Sequence, residues 1–378
     1  MLFDSSKPLE KNAQGLLKSL PVEAGPESWK GASRVVSSGL CDLQVNGFAG
    51  VDYNAPSMTQ EAFEQSLFSI LRTGVTTCLP TIITGSVDWQ TRCFRALEAG
   101  RNASKLAQTM VPGYHLEGPF LNPEEGFRGC HPAKWMVPAK WDHFEQLQEA
   151  AGGRIRLITV APEIKGVLEL IPKWVEQGIT VAIGHCNPSR DILLRAADAG
   201  ATLSTHLGNG IAQMLPKTDN PILGQLAEDR FSASFIADGF HQQPHVLGVY
   251  LRAKQSIRTI LVTDGTSGSV ALPGRYSLGQ VDIERQQEDI VYIPGTKMLA
   301  GSATTLSECV ANVVDWYGAP FDEVIRWASE QPRRLIGLPE SLFIGRPQSQ
   351  VTWEMGLQKP IVEKVNLGNW KWENLRMC

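Results

Sequence analysis

The sequence has no CxxC pair, no long basic tract, no low-complexity segment and no apolar run of membrane-spanning length. Each absence removes a class of function. Without about 18 consecutive apolar residues, a transmembrane helix is not expected. The seven cysteines are scattered and odd in number, which argues for reduced thiols in a cytosolic compartment rather than a disulfide framework. Lys and Arg number 35 against 39 Asp and Glu, a net charge of −4, so neither nucleic acid nor an anionic membrane is an expected partner. The start, MLFDSSKPLEKN, lacks a basic stretch followed by an apolar core, so no secretory signal is expected. What is present is 378 residues, enough for one large catalytic domain with a small appendage.

From residue 39 onward, short apolar runs alternate with helical segments. The strand candidates are 41–46, 75–80, 111–117, 156–162, 180–185, 201–206, 232–238 and 259–264. Helices are expected over 60–72, 88–100, 140–150, 167–177, 189–199, 244–254, 305–317 and 321–330. The runs are almost continuously apolar, as strands buried on both faces require. Eight such units in about 290 residues fit an α/β protein built as a (β/α)8 TIM-like barrel; a doubly wound sheet is the alternative. Residues 1–38 are mixed, with Pro8, Pro21, Gly25, Pro26 and one helical stretch near 10–20. They are expected to be an N-terminal extension that contributes to a small, reduced β appendage drawn from the termini, beside a barrel over 39–342. Residues 343–378 hold short strand-like pieces, SQVTWE and PIVEKVNL, and are expected to form a small β appendage.

A barrel collects its functional residues at the C-terminal ends of its strands. Four strings, HLEGP, IGH, STH and VTDG, place Glu117, His185, His206 and Asp264 there. One carboxylate and two imidazoles suit a divalent metal with an open coordination position, most naturally Zn²⁺, with Fe²⁺, Mn²⁺ and Co²⁺ also compatible. An open position implies an activated water and hydrolysis. Asp264 precedes Gly265, so it reads either as an Asp-Gly turn or as the general base of that hydrolysis. His131, on the loop after the third strand, is placed to polarise a substrate carbonyl, and His241 to contact substrate. His115 lies two residues before Glu117 and reads equally as a packing residue or a ligand. His143 and His245 fall in helices and receive no role. Cys130 and Cys186 flank site residues; a thiolate ligand is not needed for a set already filled.

Taken together, GLCDLQVNGFAGVDYN, HLEGPFLNPEEGFRGCHP, TVAPE, IGHCNPS, THLGNG, IADGFH, LVTDG and LAGSATTL resemble the N-acetylglucosamine-6-phosphate deacetylase family of the amidohydrolase superfamily. The resemblance runs from about residue 39 to 345. It implies a metal-dependent barrel that cleaves an acetyl group from the nitrogen of an amino sugar, and a homodimer. Glu117, His185 and His206 match the family's metal ligands, Asp264 its acid/base and His131 its carbonyl-polarising histidine. Where two-metal relatives carry an HxH pair, this chain reads Gln44-Val45-Asn46. Amides are poorer ligands than imidazole, so one metal is expected. Cys130, Asn209, Gly210, His241, Leu299, Ala300 and Gly301 fall at substrate-binding positions. The family's phosphate-binding Arg falls at Asp219, a repelling charge. Lys217 nearby could offer a point charge without a bidentate fork. An unphosphorylated N-acetyl sugar is therefore the alternative substrate, and a non-catalytic sugar-binding paralogue the alternative class. A two-metal cyclic amidase would need a Lys at a strand end, and none is there.

Overall fold

Every barrel strand expected from the sequence forms, with boundaries set by where neighbouring backbones pair. A computed structural model describes residues 33–339, 349–355 and 359–374. The strands are Leu40–Val45, Val75–Ile82, Tyr114–Glu117, Ile155–Val160, Thr180–Ile183, Leu203–Ser204, Ser232–Phe235 and Thr259–Leu261. They pair in parallel and in sequence order. The last rejoins the first through a parallel bridge, Val45 to Gly265, and the Asn46 N–H donates to the Gly265 carbonyl at 2.7 Å. The sheet is thus a nearly closed barrel, and the doubly wound alternative is excluded.

The helices lie between the strands, as their amphipathic spacing requires. Gln60–Arg72 is capped by Thr59 and Val87–Ala103 by Ser86; Leu306–Tyr317 begins in a reciprocal capping box of Thr305 and Glu308. Their apolar faces and the outward strand residues, such as Ile158, Val160, Phe144 and Trp174, form the main core. Trp141–Ala150, Val167–Glu176, Arg190–Asp198, Pro244–Lys254 and Phe321–Ala328 complete the expected helices. Among the described residues, no helix is long and apolar enough to cross a membrane.

The barrel interior is stacked by chemistry. Leu43, Leu79, Leu157, Ala182 and Leu203 pack with Ile336 and Leu338 at the base. Two residues further along, side chains return to the same face. There Thr81, His115, Thr159 and Thr205 form a polar layer: His115 Nε2 meets Thr159 Oγ1 at 2.8 Å, which meets Thr205 Oγ1 at 2.7 Å. Another step along the third strand reaches Glu117. The first strand's register slips between Asp42 and Val45, so Leu43 packs inward and Gln44 still reaches Glu117.

Two small sheets lie outside the barrel. Arg34–Ser38, in a segment read as poor in strand signal, pairs antiparallel with Ser349–Met355. Pro360–Leu367 and Trp370–Glu373 extend this to four strands, so both ends of the described chain build the appendage. A three-stranded sheet, Gly274–Leu278, Val281–Arg285 and Val291–Tyr292, follows the eighth barrel strand. Its strands are short and half-exposed, too weakly patterned to stand out in the sequence. The helix expected near 10–20 lies outside the described residues.

Candidate metal centre and active site

Glu117 is the last residue of the third strand, and its carboxylate is buried at the mouth of the barrel. His206 Nε2 lies 3.0 Å and His185 Nε2 3.5 Å from its Oε1. Ligand atoms of Glu117, His185 and His206 all fall within 4.8 Å of one another. Burial alone would raise the Glu117 carboxyl, but the facing His185 and His206 hold it well below the usual carboxylate range. His185 Nδ1 sits 2.9 Å from the Phe127 carbonyl, which can only accept. Nδ1 therefore carries the proton and Nε2 presents its lone pair to the centre, the tautomer a metal ligand needs. The donor set and the His185 tautomer fit a divalent cation.

Strain marks the same positions. His185, His206 and Asp264 have φ of 50°, 30° and 51°, left-handed values that side-chain-bearing residues adopt at a cost of about 1–3 kcal/mol. Each lies just past its strand, where the chain must turn to aim the side chain over the barrel axis. The His185 turn is clamped. Asn122 N–H donates to its carbonyl at 3.0 Å. The half-buried Glu163 accepts from Asn187 N–H at 2.5 Å and from Asn122 Nδ2 at 3.0 Å.

Asp264 stands beside this centre rather than in it. Asn46 Nδ2 donates to its Oδ1 at 2.7 Å. Burial and the nearby Glu117 charge push its carboxyl up to about 6, against the opposing influence of His206, His241 and the Asn46 bond. Gln44 Nε2 donates to Glu117 Oε1 at 3.0 Å. The two amides on the first strand thus hold the carboxylates by hydrogen bonds. The seam beneath them is stitched by Asp42, which accepts from Thr263 Oγ1 at 2.6 Å and from Thr263 and Gln44 N–H at 3.2 Å.

His131 comes within 3.7 Å of Glu117 Oε2 through Nε2. Its Nδ1 is met by Thr84 Oγ1 at 2.9 Å and by Thr84 N–H at 3.4 Å. A backbone N–H can only donate, so Nδ1 accepts and the ring proton sits on Nε2, facing the site. Burial, with His185 beside it, lowers His131 to about 3, so the ring is a neutral donor near pH 7. His241 is fixed through Nδ1 to Asp238 Oδ2 at 2.6 Å. Burial opposes its charge, yet Asp238 raises its pKa above the ordinary value.

A cleft of about 750 Å³ opens over these groups, lined by Asn46, Cys130, Asn209, Gly210, Leu299 and Gly301 with the residues above. Two expected contacts lie elsewhere. Ala300 is buried in the apolar wall, its N–H bonded to the Val291 carbonyl at 3.1 Å. Lys217 is exposed and is not among the residues lining the cleft. His115 belongs to the polar layer below, and burial lowers it to about 4. Sequence reasoning missed Thr84, Asn122, Glu163 and Asp238, of which Asn122, Glu163 and Asp238 sit in strings already singled out.

Comparison with known proteins now bears on these groups. No family model matches the chain. The human N-acetylglucosamine-6-phosphate deacetylase is 32% identical over 323 residues, 82% of this chain and 76% of that protein. The Danio rerio protein of the same name is 31% identical over 317 residues, 81% and 76% of the two chains. The chain belongs to the N-acetylglucosamine-6-phosphate deacetylase family. A Mycobacterium smegmatis deacetylase of that family, solved as an Asp-to-Ala variant with N-acetyl-D-glucosamine-6-phosphate, superposes with a TM-score of 0.80 at 26% identity, covering 88% of this chain and 86% of that one.

Gly210 ties the loop after the sixth barrel strand to the candidate metal centre. Its φ is 57°, and a Cβ there would lie 2.4 Å from His185 Nδ1. Gly210→Ala should tilt the imidazole and weaken metal binding by about 10–100-fold, the cost of disturbing a ligand's support. Competition with a chelating dye measures this, and wild-type affinity in the variant would show that His185 does not depend on the glycine.

Proposed function

We propose that the protein is a metal-dependent amide hydrolase that removes the acetyl group from N-acetylglucosamine-6-phosphate. The observation that carries this reading is the buried Glu117, His185 and His206 cluster with Asp264 and His131 on either side, in a chain of this family. When bound, a divalent ion supplies Lewis-acid chemistry, making water acidic enough to ionise near neutrality and polarising the acyl oxygen. The O/N donor set suits one Zn²⁺ per chain, with Fe²⁺, Mn²⁺ and Co²⁺ compatible. Gln44 and Asn46 support a single ion, because their amide nitrogens already donate to Glu117 and Asp264.

The protein's own groups divide the remaining work. Asp264, held by Asn46, takes the proton of the attacking water and delivers it to the departing amine nitrogen. His131 Nε2–H donates to the oxygen that becomes negative as the carbonyl carbon turns tetrahedral. The products are acetate and the free amino sugar. Acetate release from N-acetylglucosamine-6-phosphate, compared with N-acetylglucosamine, tests the reading.

The pH dependence follows from Asp264. The base works only when ionised, and its carboxyl sits near 6. The rate should therefore fall as pH drops through about 6, with a bound cation drawing that limb lower still. A kcat with no acidic limb at or below about 6, down to the pH at which the protein unfolds, contradicts the role.

The reading includes a cytosolic setting, supported by the scattered cysteines, and a homodimer. Met214, 89% exposed, and Leu223, 54% exposed, lie on the segment that borders the cleft and give a second copy something apolar to cover. Light scattering reads the mass directly; a monomer would remove this part of the proposal.

A further inference from the structure

The geometry points to Lys297 as the cation that receives the sugar phosphate, an assignment that rests on the deacetylase reading above. Among the described residues lining the catalytic cleft, Lys297 is the one Lys or Arg. It sits on a tight turn. Ile293 N–H donates to the Met298 carbonyl at 2.9 Å, and Thr296 donates to the Ile293 carbonyl through its N–H at 3.1 Å and its hydroxyl at 2.9 Å. The Thr296 hydroxyl oxygen also accepts from Met298 N–H at 3.1 Å. This turn leads straight into Leu299 and Gly301 in the cleft wall. Lys297 makes no ion pair or hydrogen bond with the described residues, so its ammonium is uncommitted.

The segment after the sixth barrel strand offers the cleft no Lys or Arg. Lys217 and Asp219 are exposed, and neither lines the cleft. On the Lys297 side, a second groove of about 460 Å³ shares Cys130 with the cleft and carries Lys134 and Arg275, with Asp282 partly offsetting them. The Lys and Arg residues that line the two openings, Lys297, Lys134 and Arg275, thus gather beside the 293–301 turn, while Glu125 is the carboxylate on the cleft lining outside the catalytic cluster. A phosphate dianion entering the cleft needs a counter-charge, and an ammonium supplies one without the geometric demand of a guanidinium fork. The phosphate lies at the far end of the substrate from the reacting acetyl group. Its loss of a partner should thus appear in KM and not in kcat.

The test compares wild type, K297A, K297E, K297R and K217A on N-acetylglucosamine-6-phosphate and on N-acetylglucosamine. K297A should raise KM for the phosphorylated sugar about 10–100-fold with kcat within about twofold, and K297E should raise it further. K297R should stay near wild type, as should K217A. KM for the unphosphorylated sugar should not move. A wild-type KM for the phosphorylated sugar in K297A, or an equal rise for both sugars, overturns the assignment while leaving the deacetylase reading intact. A wild-type protein that releases acetate from neither sugar instead overturns the deacetylase reading, and the assignment with it.

Discussion

Asp264→Asn should lower kcat about 10⁴-fold, about 5.4 kcal/mol of transition-state stabilisation, while the protein binds its metal as before. The size follows from two proton transfers resting on one carboxyl. In the proposed mechanism Asp264 takes a proton from water and returns it to the amine, so an amide disables both halves of the reaction. The retention of metal follows from the geometry: the cluster able to hold an ion is Glu117, His185 and His206, without Asp264. The amide is the size of the carboxyl and can still accept from Asn46 through its carbonyl oxygen, so the seam at Val45 and Gly265 should survive. Metal content, thermal midpoint and kcat are the readouts. A variant that keeps a tenth of wild-type turnover, or loses its metal together with its activity, would contradict the assigned role.

Removal of the metal should be comparably severe. Without the cation, His131 is the remaining donor aimed at the acyl oxygen, and nothing makes water acidic. Activity should fall by more than about 10³-fold after chelation. Stability should fall as well. A ligand present at about 100 times its Kd stabilises the folded state by about 2.7 kcal/mol, and chelation removes that contribution. Glu117→Ala should reproduce the activity loss, because it deletes the carboxylate around which His185 and His206 are arranged. Zn²⁺, Fe²⁺, Mn²⁺ and Co²⁺ added back one at a time identify the ion that restores turnover. Full activity in chelated protein would sink the metal reading.

Much of this was legible from residues alone, for a physical reason. Strands buried on both faces must be apolar almost throughout, so a single polar residue at the end of such a run stands out. Glu117, His185, His206 and Asp264 are visible for that reason, and the structure brings the first three within ligand distance. Strand ends were less exact, because Leu203–Ser204 and Thr259–Leu261 stop pairing before the chain turns left-handed at His206 and Asp264. Residues that act through turns left no periodic signal. Thr84 sets the His131 tautomer from a loop, and the Phe127 carbonyl does the same for His185. Glu163 clamps the His185 turn across distant segments of chain. Sequence proximity is a weak guide to which cations line the cleft. Lys217 drew attention because it neighbours Asp219 in sequence, whereas Lys297 reaches the cleft from a turn roughly eighty positions later, behind a three-stranded sheet with no strong pattern.

The central claim is that one divalent ion per chain, held by Glu117, His185 and His206, supports deacetylation of N-acetylglucosamine-6-phosphate. Titrating metal-free protein with the activating ion, while following acetate release from that sugar, tests it most directly. Acetate release should rise linearly and reach its plateau at about one equivalent of metal per chain. A plateau at two equivalents would contradict the single-ion centre, and the absence of acetate at any loading would contradict the reaction itself.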